Sequence, residues 1–290
     1  MFFDTNYNCK GMKNSDIDPV ILSALREDIG DGDHSTLACI APENRGKARM
    51  VAKADGVICG IPVGKRVFQL VDPTLLVTTF KTDGDTVAKG DLILTVEGPS
   101  ASILTAERTA LNFMQRMSGI ATQTRRMADM LKGMHTRLLD TRKTTPNLRV
   151  FEKYAVKTGG AENHRFGLYD MIMLKDNHID FAGGIEKAIE KTNDYLKAKG
   201  KNLKIEIEVR NLDELRRVLA VGNVQRIMLD NFTPELLKEA VNIIGGRYET
   251  EASGGITEQT LLQYAESGVD YISVGALTHH IKSLDISLIV

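Results

Sequence analysis

The chain has 290 residues, enough for one large or two modest domains. Apolar residues make up 42% and charged residues 26%, which suits a packed globular core under a soluble surface. Lys plus Arg (37) nearly equals Asp plus Glu (38), so bulk attraction to nucleic acid or a membrane surface is excluded and any charge-driven chemistry must come from local clusters. Cys9, Cys39 and Cys59 are odd in number and lack metal-type spacing; they read as reduced thiols of a cytoplasmic protein. The opening MFFDTNYNCK breaks its apolar start at Asp4 and does not read as a signal peptide. No run approaches the roughly 20 apolar residues that span a bilayer.

In chain order, Asp18-Pro19 predicts a helix start, with Asp as the cap and Pro at the first helical position, and Gly30 predicts its end. Residues 47–59 are strand-like, and Pro62 predicts a helix through Leu70. Leu75–Lys81 and Leu92–Val96 predict strands around the turn-rich TDGDTVAKGD. A helix is expected over Ser102–Met117, stopped by Gly119. The rhythm then changes. Apolar runs at Arg137–Asp140, Asp170–Leu174, Leu203–Val209, Val224–Leu229, Tyr248–Ala252 and Tyr271–Val274 are each followed by a helical pattern. The helices are expected near Asn147, Gly184, Leu212, Pro234, Glu258 and Ala276. Strands alternating with helices at this spacing imply βαβ units and a parallel sheet. The division expected is an α+β N-terminal domain to about residue 115, then a β/α barrel, with an open sheet as the alternative.

Barrel active sites form at the C-terminal ends of the strands. Here those ends carry Asp140-Thr141-Arg142-Lys143, then Lys175-Asp176-Asn177-His178, then Glu206 and Glu208, then Asp230-Asn231, Ser253-Gly254-Gly255, and Gly275-Ala276. Cations come first, carboxylates next and glycines last. Residues 137–175 hold eight Lys/Arg against four Asp/Glu, inside an otherwise neutral chain. Arg142, Lys143, His164, Arg165 and Lys175 read as converging on a strongly anionic ligand, since a guanidinium fork matches carboxylate or phosphate. Arg149, Lys153 and Lys157, on the helix after Pro146, read as a solvated face. Glu208 and Asp230, hard oxygen donors on neighbouring strand ends, suit Mg²⁺. Glu206 alternates in phase with Glu208, so both are expected to face the interior. The loops 253–257 and 275–279 pair glycine with a following helix, which suits phosphate binding, and His279 stands where it can add a donor.

The string DTRKTTPNLRVFEKYAVKTGGAENHRFGLYDMIMLKDNHI (140–179) closely resembles the core signature of quinolinate phosphoribosyltransferases. EIEV (206–209), IMLDNFTPE (227–235), EASGGIT (251–257) and ISVGALTH (272–279) extend the resemblance, and ALREDIGDGD (24–33) and AERTALNFMQRMSGIAT (106–122) carry it upstream. It implies an N-terminal α/β sandwich domain (1–115), an incomplete, seven-stranded β/α barrel (116–275), and a C-terminal helix or tail (276–290) packing back toward the N-terminal domain. It implies phosphoribosyl transfer to quinolinate with decarboxylation, a Mg²⁺ requirement, and a homodimer or higher homo-oligomer. By motif, Arg142, His164, Arg165 and Lys175 resemble the quinolinate-binding set, and Arg108 resembles an arginine that enters the site from a partner subunit. Lys143, Lys175, Glu208 and Asp230 resemble the residues around the ribose, pyrophosphate and metal. Ser253, Gly254, Gly275 and His279 resemble contacts to the ribose phosphate. Arg210 and His280 depart from the family pattern. Three rivals are a biotinyl-like carrier built on residues 82–98, which lacks a suitably placed hairpin lysine, a paralogous phosphoribosyltransferase, and a catalytically silent barrel.

Overall fold

The computed structural model describes residues 12–290; Cys9 and the decapeptide read for a leader lie outside them. Helix α1 (Asn14–Ile29) buries Ile17, Ile21 and Leu25 at helical spacing and closes at Gly30. It begins four residues before the expected Asp18 cap, with Pro19 inside it. Asp18 does not cap, because its carboxylate receives Arg66 Nε and Nη2 at 2.8 and 2.7 Å. Helix α2 (His34–Cys39) is capped by Asp33, whose Oδ1 accepts the Thr36 N–H at 3.1 Å. Strands β1 (Arg45–Ala52) and β2 (Gly56–Val57), helix α3 (Ile61–Val71), and strands β3 (Leu76–Thr79), β4 (Thr86–Val87) and β5 (Leu92–Pro99) follow. Pro62 lies in the first turn of α3, where its missing N–H has no helical partner to lose.

Helix α4 (Ser100–Met130) then runs for 31 residues. The stop expected at Gly119 does not occur, and the expected domain boundary near residue 115 falls inside this helix. A Cβ on Gly119 would lie 2.4 Å from Lys282 O and 2.9 Å from Ser283 Cα. The glycine therefore serves a close backbone approach, and a single Gly costs a long helix only about 1 kcal/mol.

The alternating half of the chain follows the expected order. It comprises β6 (Arg137–Leu139), α5 (Arg149–Gly159), β7 (Ile172–Leu174), α6 (Asp176–Ala182), α7 (Ile185–Lys199), β8 (Ile205–Val209) and α8 (Leu212–Val221). After these come β9 (Arg226–Asp230), α9 (Pro234–Ile244), β10 (Glu249–Ser253), α10 (Leu261–Ala265), β11 (Tyr271–Ser273), α11 (Ala276–His279) and β12 (Ile286–Ile289). Two elements of this half were not anticipated. One is α6, seven residues directly after Lys175; the other is β12, which the expected helix or tail did not include. On α5, Lys153 is buried, so the expected solvated face fails at that residue.

The chain divides into two compact units. One comprises the described residues up to 126 together with 143–160 and 277–290. Its main sheet is antiparallel, in the order β12-β1-β5-β3, so the C-terminal strand completes an edge beside β1. The other unit comprises 127–142 and 161–276 and holds a six-stranded sheet in the order β6-β11-β10-β9-β8-β7. All five pairings are parallel. A seventh strand position is reduced to one parallel bridge between Leu139 and Glu162. This is an incomplete β/α barrel, and its parallel pairing sends every strand's C-terminal end to one rim.

Gly119→Ala is expected to lower stability by about 2 kcal/mol or more, because the clash is with backbone that cannot rotate away. Urea unfolding of the variant beside wild type checks this. A loss of only a few tenths would mean that the 282–283 segment yields freely.

Candidate active site

Within the barrel unit, each strand delivers its polar residues differently. β6 runs into Asp140, which is fully buried. Its Oδ1 accepts the His164 N–H at 2.8 Å and its Oδ2 accepts Asn163 Nδ2 at 2.7 Å. Asp140 is thus a tether for the 163–165 segment. Arg142, two residues on, is exposed. Arg165 is half-buried, and its Nη1 donates to Met171 O at 3.2 Å. Burial, and then the neighbouring Arg142, pull the Arg165 guanidinium's pKa down from its usual value. A half-buried guanidinium within electrostatic reach of a second, exposed one suits an anionic ligand.

β7 ends at Lys175, whose Nζ donates to Glu208 Oε2 at 2.8 Å. Glu208 and Asp230 sit at the ends of the adjacent strands β8 and β9. Burial, and then Glu208, push the Asp230 carboxyl up, while Lys175 pulls the other way. Asn231 Nδ2 also donates to Asp230 Oδ2 at 2.6 Å. Lys175 pairs with Glu208, and the two carboxylates outnumber it at this corner of the rim. The donor set, hard oxygens on neighbouring strand ends, fits Mg²⁺.

β10 ends at Ser253, level with Asp230 in the parallel register. Gly254 has φ 103°, and a Cβ there would fall 2.2 Å from Asn231 Oδ1 and 2.9 Å from Asn231 N. Gly254 therefore lets the Asn231 turn close over the strand end. The loops 253–257 and 275–279 do precede helices, but the helices are short: α10 begins only at Leu261 and α11 spans four residues.

The deepest feature lies beneath the rim. Glu206, Glu251 and His164 are all buried, with His164 Nε2 2.9 Å from Glu206 Oε2 and 3.2 Å from Glu251 Oε2. Arg226 completes the cluster: Nη1 donates to Glu251 Oε2 at 3.0 Å, Nη2 to Glu249 Oε2 at 3.0 Å, and its guanidinium carbon lies 4.1 Å from the Tyr271 ring centroid. Burial, then Glu251, push Glu206 up to about 7. Burial works against the Glu251 carboxylate too, but His164 and Arg226 hold its pKa below the ordinary value.

The other unit carries the remaining expected residues, Arg108, Lys143 and His279. Arg108 is exposed on α4. The Lys143 carbonyl accepts Thr278 Oγ1 at 2.8 Å. His279 stacks edge-on with His280, ring centroids 4.4 Å apart, and their Nδ1 atoms are in contact. Arg210, in the barrel unit, is occupied by Glu214, its Nε donating at 2.9 Å. Sequence reasoning missed Arg116, which links the segment around Lys143 to α4. Its Nε donates to Glu152 Oε1 at 2.8 Å, and its Nη2 donates to Thr145 Oγ1 at 2.8 Å and to Thr278 O at 3.2 Å. It also passed over Arg226 and Glu251, although charged residues inside otherwise apolar strands are a readable signal.

A charged rim on an incomplete β/α barrel in one unit and an antiparallel sheet in the other define the class of protein. Family models agree in detail: the quinolinate phosphoribosyl transferase C-terminal domain matches residues 120–289, and the N-terminal domain matches 33–118. The chain belongs to the quinolinate phosphoribosyltransferase family. It is 47% identical over 288 residues to the chloroplastic nicotinate-nucleotide pyrophosphorylase (carboxylating) of Oryza sativa subsp. japonica, covering 94% of this chain and 77% of that one. It is 45% identical over 262 residues to the probable nicotinate-nucleotide pyrophosphorylase (carboxylating) of Bacillus subtilis (strain 168), covering 90% and 89%. The crystal structure of NadC from Streptococcus pyogenes superposes with a TM-score of 0.91 at 42% identity, covering 96% of this chain and 97% of that one.

Proposed function

We propose that this chain transfers the phosphoribosyl group of phosphoribosyl pyrophosphate to quinolinate with decarboxylation, yielding nicotinate mononucleotide, pyrophosphate and CO₂. The observation that carries the reading is similarity along nearly the whole chain to relatives named for this activity, 46% identity over 94% of the chain in the protein of Arabidopsis thaliana, for instance.

The reaction needs a cationic pocket, because both substrates are strongly anionic. Arg142, Arg165 and Lys175 take the two carboxylates of quinolinate, and the paired guanidinium groups repel less once an anion lies between them. The pyridine nitrogen then bonds to C1 of the ribose as the C1–oxygen bond to pyrophosphate breaks. Lys143 and Lys175 stabilise the charge that develops on the leaving group. Glu208 and Asp230 would hold Mg²⁺, which when bound would supply further charge neutralisation for the leaving group. With the ring nitrogen now positive, the bond from C2 to its carboxylate breaks, CO₂ leaves, and the electron pair left on C2 takes up a proton. Ser253, Gly254, Gly275 and His279 hold the ribose phosphate.

The proposal extends to assembly and setting. Arg108 reaches the site of a partner subunit in a homodimer or higher homo-oligomer; its exposed place on α4 supports this. No nucleic acid or membrane takes part, and among the described residues no helix is long and apolar enough to cross a membrane. Free thiols at Cys39 and Cys59 support a cytoplasmic setting.

Purified protein is expected to release CO₂ from quinolinate only when phosphoribosyl pyrophosphate and Mg²⁺ are both present. Nicotinate should be disfavoured by roughly 10⁴-fold in kcat/KM, since lacking the 2-carboxylate it leaves rim cations unpaired. Comparable constants for the two acids would point to a paralogous enzyme. Asp230→Asn and Glu208→Gln should blunt the Mg²⁺ dependence of turnover, by about tenfold or more, while quinolinate binding changes little. If either variant lost quinolinate affinity with its Mg²⁺ titration unaltered, the metal assignment would fail. Subunit exchange tests Arg108. Inactive Arg108→Ala and inactive Lys143→Ala subunits, mixed and allowed to exchange, should recover activity toward about half of wild type within heterodimers, because each then holds one intact site. Exchange without recovery would remove Arg108 from the trans role.

A further inference from the structure

His164 stands in the quinolinate-binding set by resemblance, yet its ring lies inside the barrel, with Nδ1 taken by a backbone amide and Nε2 buried within ion-pair range of two carboxylates but in no aligned hydrogen bond. Nδ1 accepts the Arg165 backbone N–H at 2.7 Å. Nε2 points away from that amide, between Glu206 and Glu251, at 2.9 and 3.2 Å. The side chain is only 4% exposed, and both carboxylates are fully buried. These three side chains bring ligand-type atoms within 4.8 Å of one another, a spacing that also suits a metal. Arg226, however, already pairs with Glu251, so the chain itself supplies positive charge to the cage.

The protonation of the ring follows from the geometry. Burial opposes charging the imidazole, and the two carboxylates more than offset it, pushing its pKa up to about 9. A proton on Nδ1, however, would face the Arg165 N–H across 2.7 Å, donor against donor. The amide therefore fixes Nδ1 as an acceptor and leaves a ring proton on Nε2, at ion-pair distance from the carboxylates but out of hydrogen-bond alignment with them.

Arg165 needs such an anchor. Its guanidinium is half-buried beside the like charge of Arg142, and an unrestrained side chain would swing out to water. The segment is pinned on every side. Asp140 receives the His164 N–H, His164 receives the Arg165 N–H, and Asp170 receives the Phe166 and Gly167 N–H groups at 2.6 and 2.8 Å.

We propose that His164 does not touch substrate but is a positioning residue: anchored from below by Glu206 and Glu251, it grips the main chain of Arg165 and so aims that guanidinium at the rim. The proposal rests on the reading of quinolinate as substrate and of Arg165 as one of its contacts.

Two variants separate the halves of the ring. In His164→Asn, Oδ1 falls near the Nδ1 position and keeps an acceptor for the Arg165 N–H. In His164→Gln, the amide reaches toward Glu206, but no acceptor remains at Nδ1. The expectation is that H164Q, which loses the grip on Arg165, raises the quinolinate KM about tenfold, that H164N, which loses only the contact to the cage, raises it by about threefold, and that kcat changes by less than about threefold in both. In an Arg165→Ala background, H164Q should add less than about twofold, because the two residues act as one unit. Equal impairment of H164N and H164Q, or a full H164Q effect in the Arg165→Ala background, would place the ring on the substrate itself. A wild-type KM in H164Q would also overturn the proposal.

One readout is independent of turnover. Amide hydrogen exchange at Arg165, measured without substrate, should speed about tenfold in H164Q and little in H164N. Unchanged exchange in H164Q defeats the positioning role even if quinolinate is not the substrate. Absence of quinolinate turnover in the wild-type protein would instead defeat the functional reading alone.

Discussion

Two carboxylates are buried without exposure in the middle of the parallel sheet, and the barrel is arranged around their compensation. Isolated, each would cost several kcal/mol in so dry a place. Glu206 and Glu251 stand on β8 and β10, with Arg226 on β9 between them. In the strand register Arg226 lies level with both Glu206 and Glu249, which brings a cation between two acidic strands. His164 closes the cage from the loop before β7. Breaking such a cluster by removing one member leaves a bare buried charge, so its members are bound to one another.

The cage sits directly below the rim, and the same strands serve both. β8 carries Glu206 into the cage and Glu208, two residues on, toward Lys175. β9 carries Arg226 into the cage and Asp230 to the rim. Period-two alternation makes this possible: residues two apart on a strand share a face and differ only in depth. Because the two layers share strands, the strand register fixes the height of one relative to the other. Preorganisation of this kind is what an electrostatic site requires, since the rim must hold like charges together before substrate arrives.

The other unit is organised by close backbone approach rather than by charge. Gly119 admits the 282–283 segment against α4, and Gln115 accepts it further along, its carbonyl taking the Leu284 N–H at 3.0 Å and its Nε2 donating to Ile286 O at 2.7 Å. The C-terminal segment reaches β1 in this way and completes an edge of the sheet. Arg116, one position on from Gln115, ties Thr278 and the Thr145 turn to the same helix. One stretch of α4 thus anchors three separate parts of the chain.

The sequence by itself determined the order of strands and helices in the barrel half, the charged character of the rim and the family. These follow from local rules: apolar runs of strand length, capping residues, and motifs contiguous along the chain. Helix starts at Leu212 and Pro234 were legible because Asn211 and Thr233 cap them through side-chain acceptors within three residues. Only the tertiary structure decided the rest. Gly119 read as a stop because the sequence cannot show Lys282, 163 positions away, pressing on its missing Cβ. Asp18 read as a cap because Arg66 was not in view. Lys153 read as solvated for the same reason. His164 read as one of the anion-binding residues, and only the structure shows which groups its two nitrogens face, at positions 165, 206 and 251. A side chain's chemical type is written locally, but its hydrogen-bonding capacity is small, and which groups exhaust it depends on contacts between residues far apart in the chain.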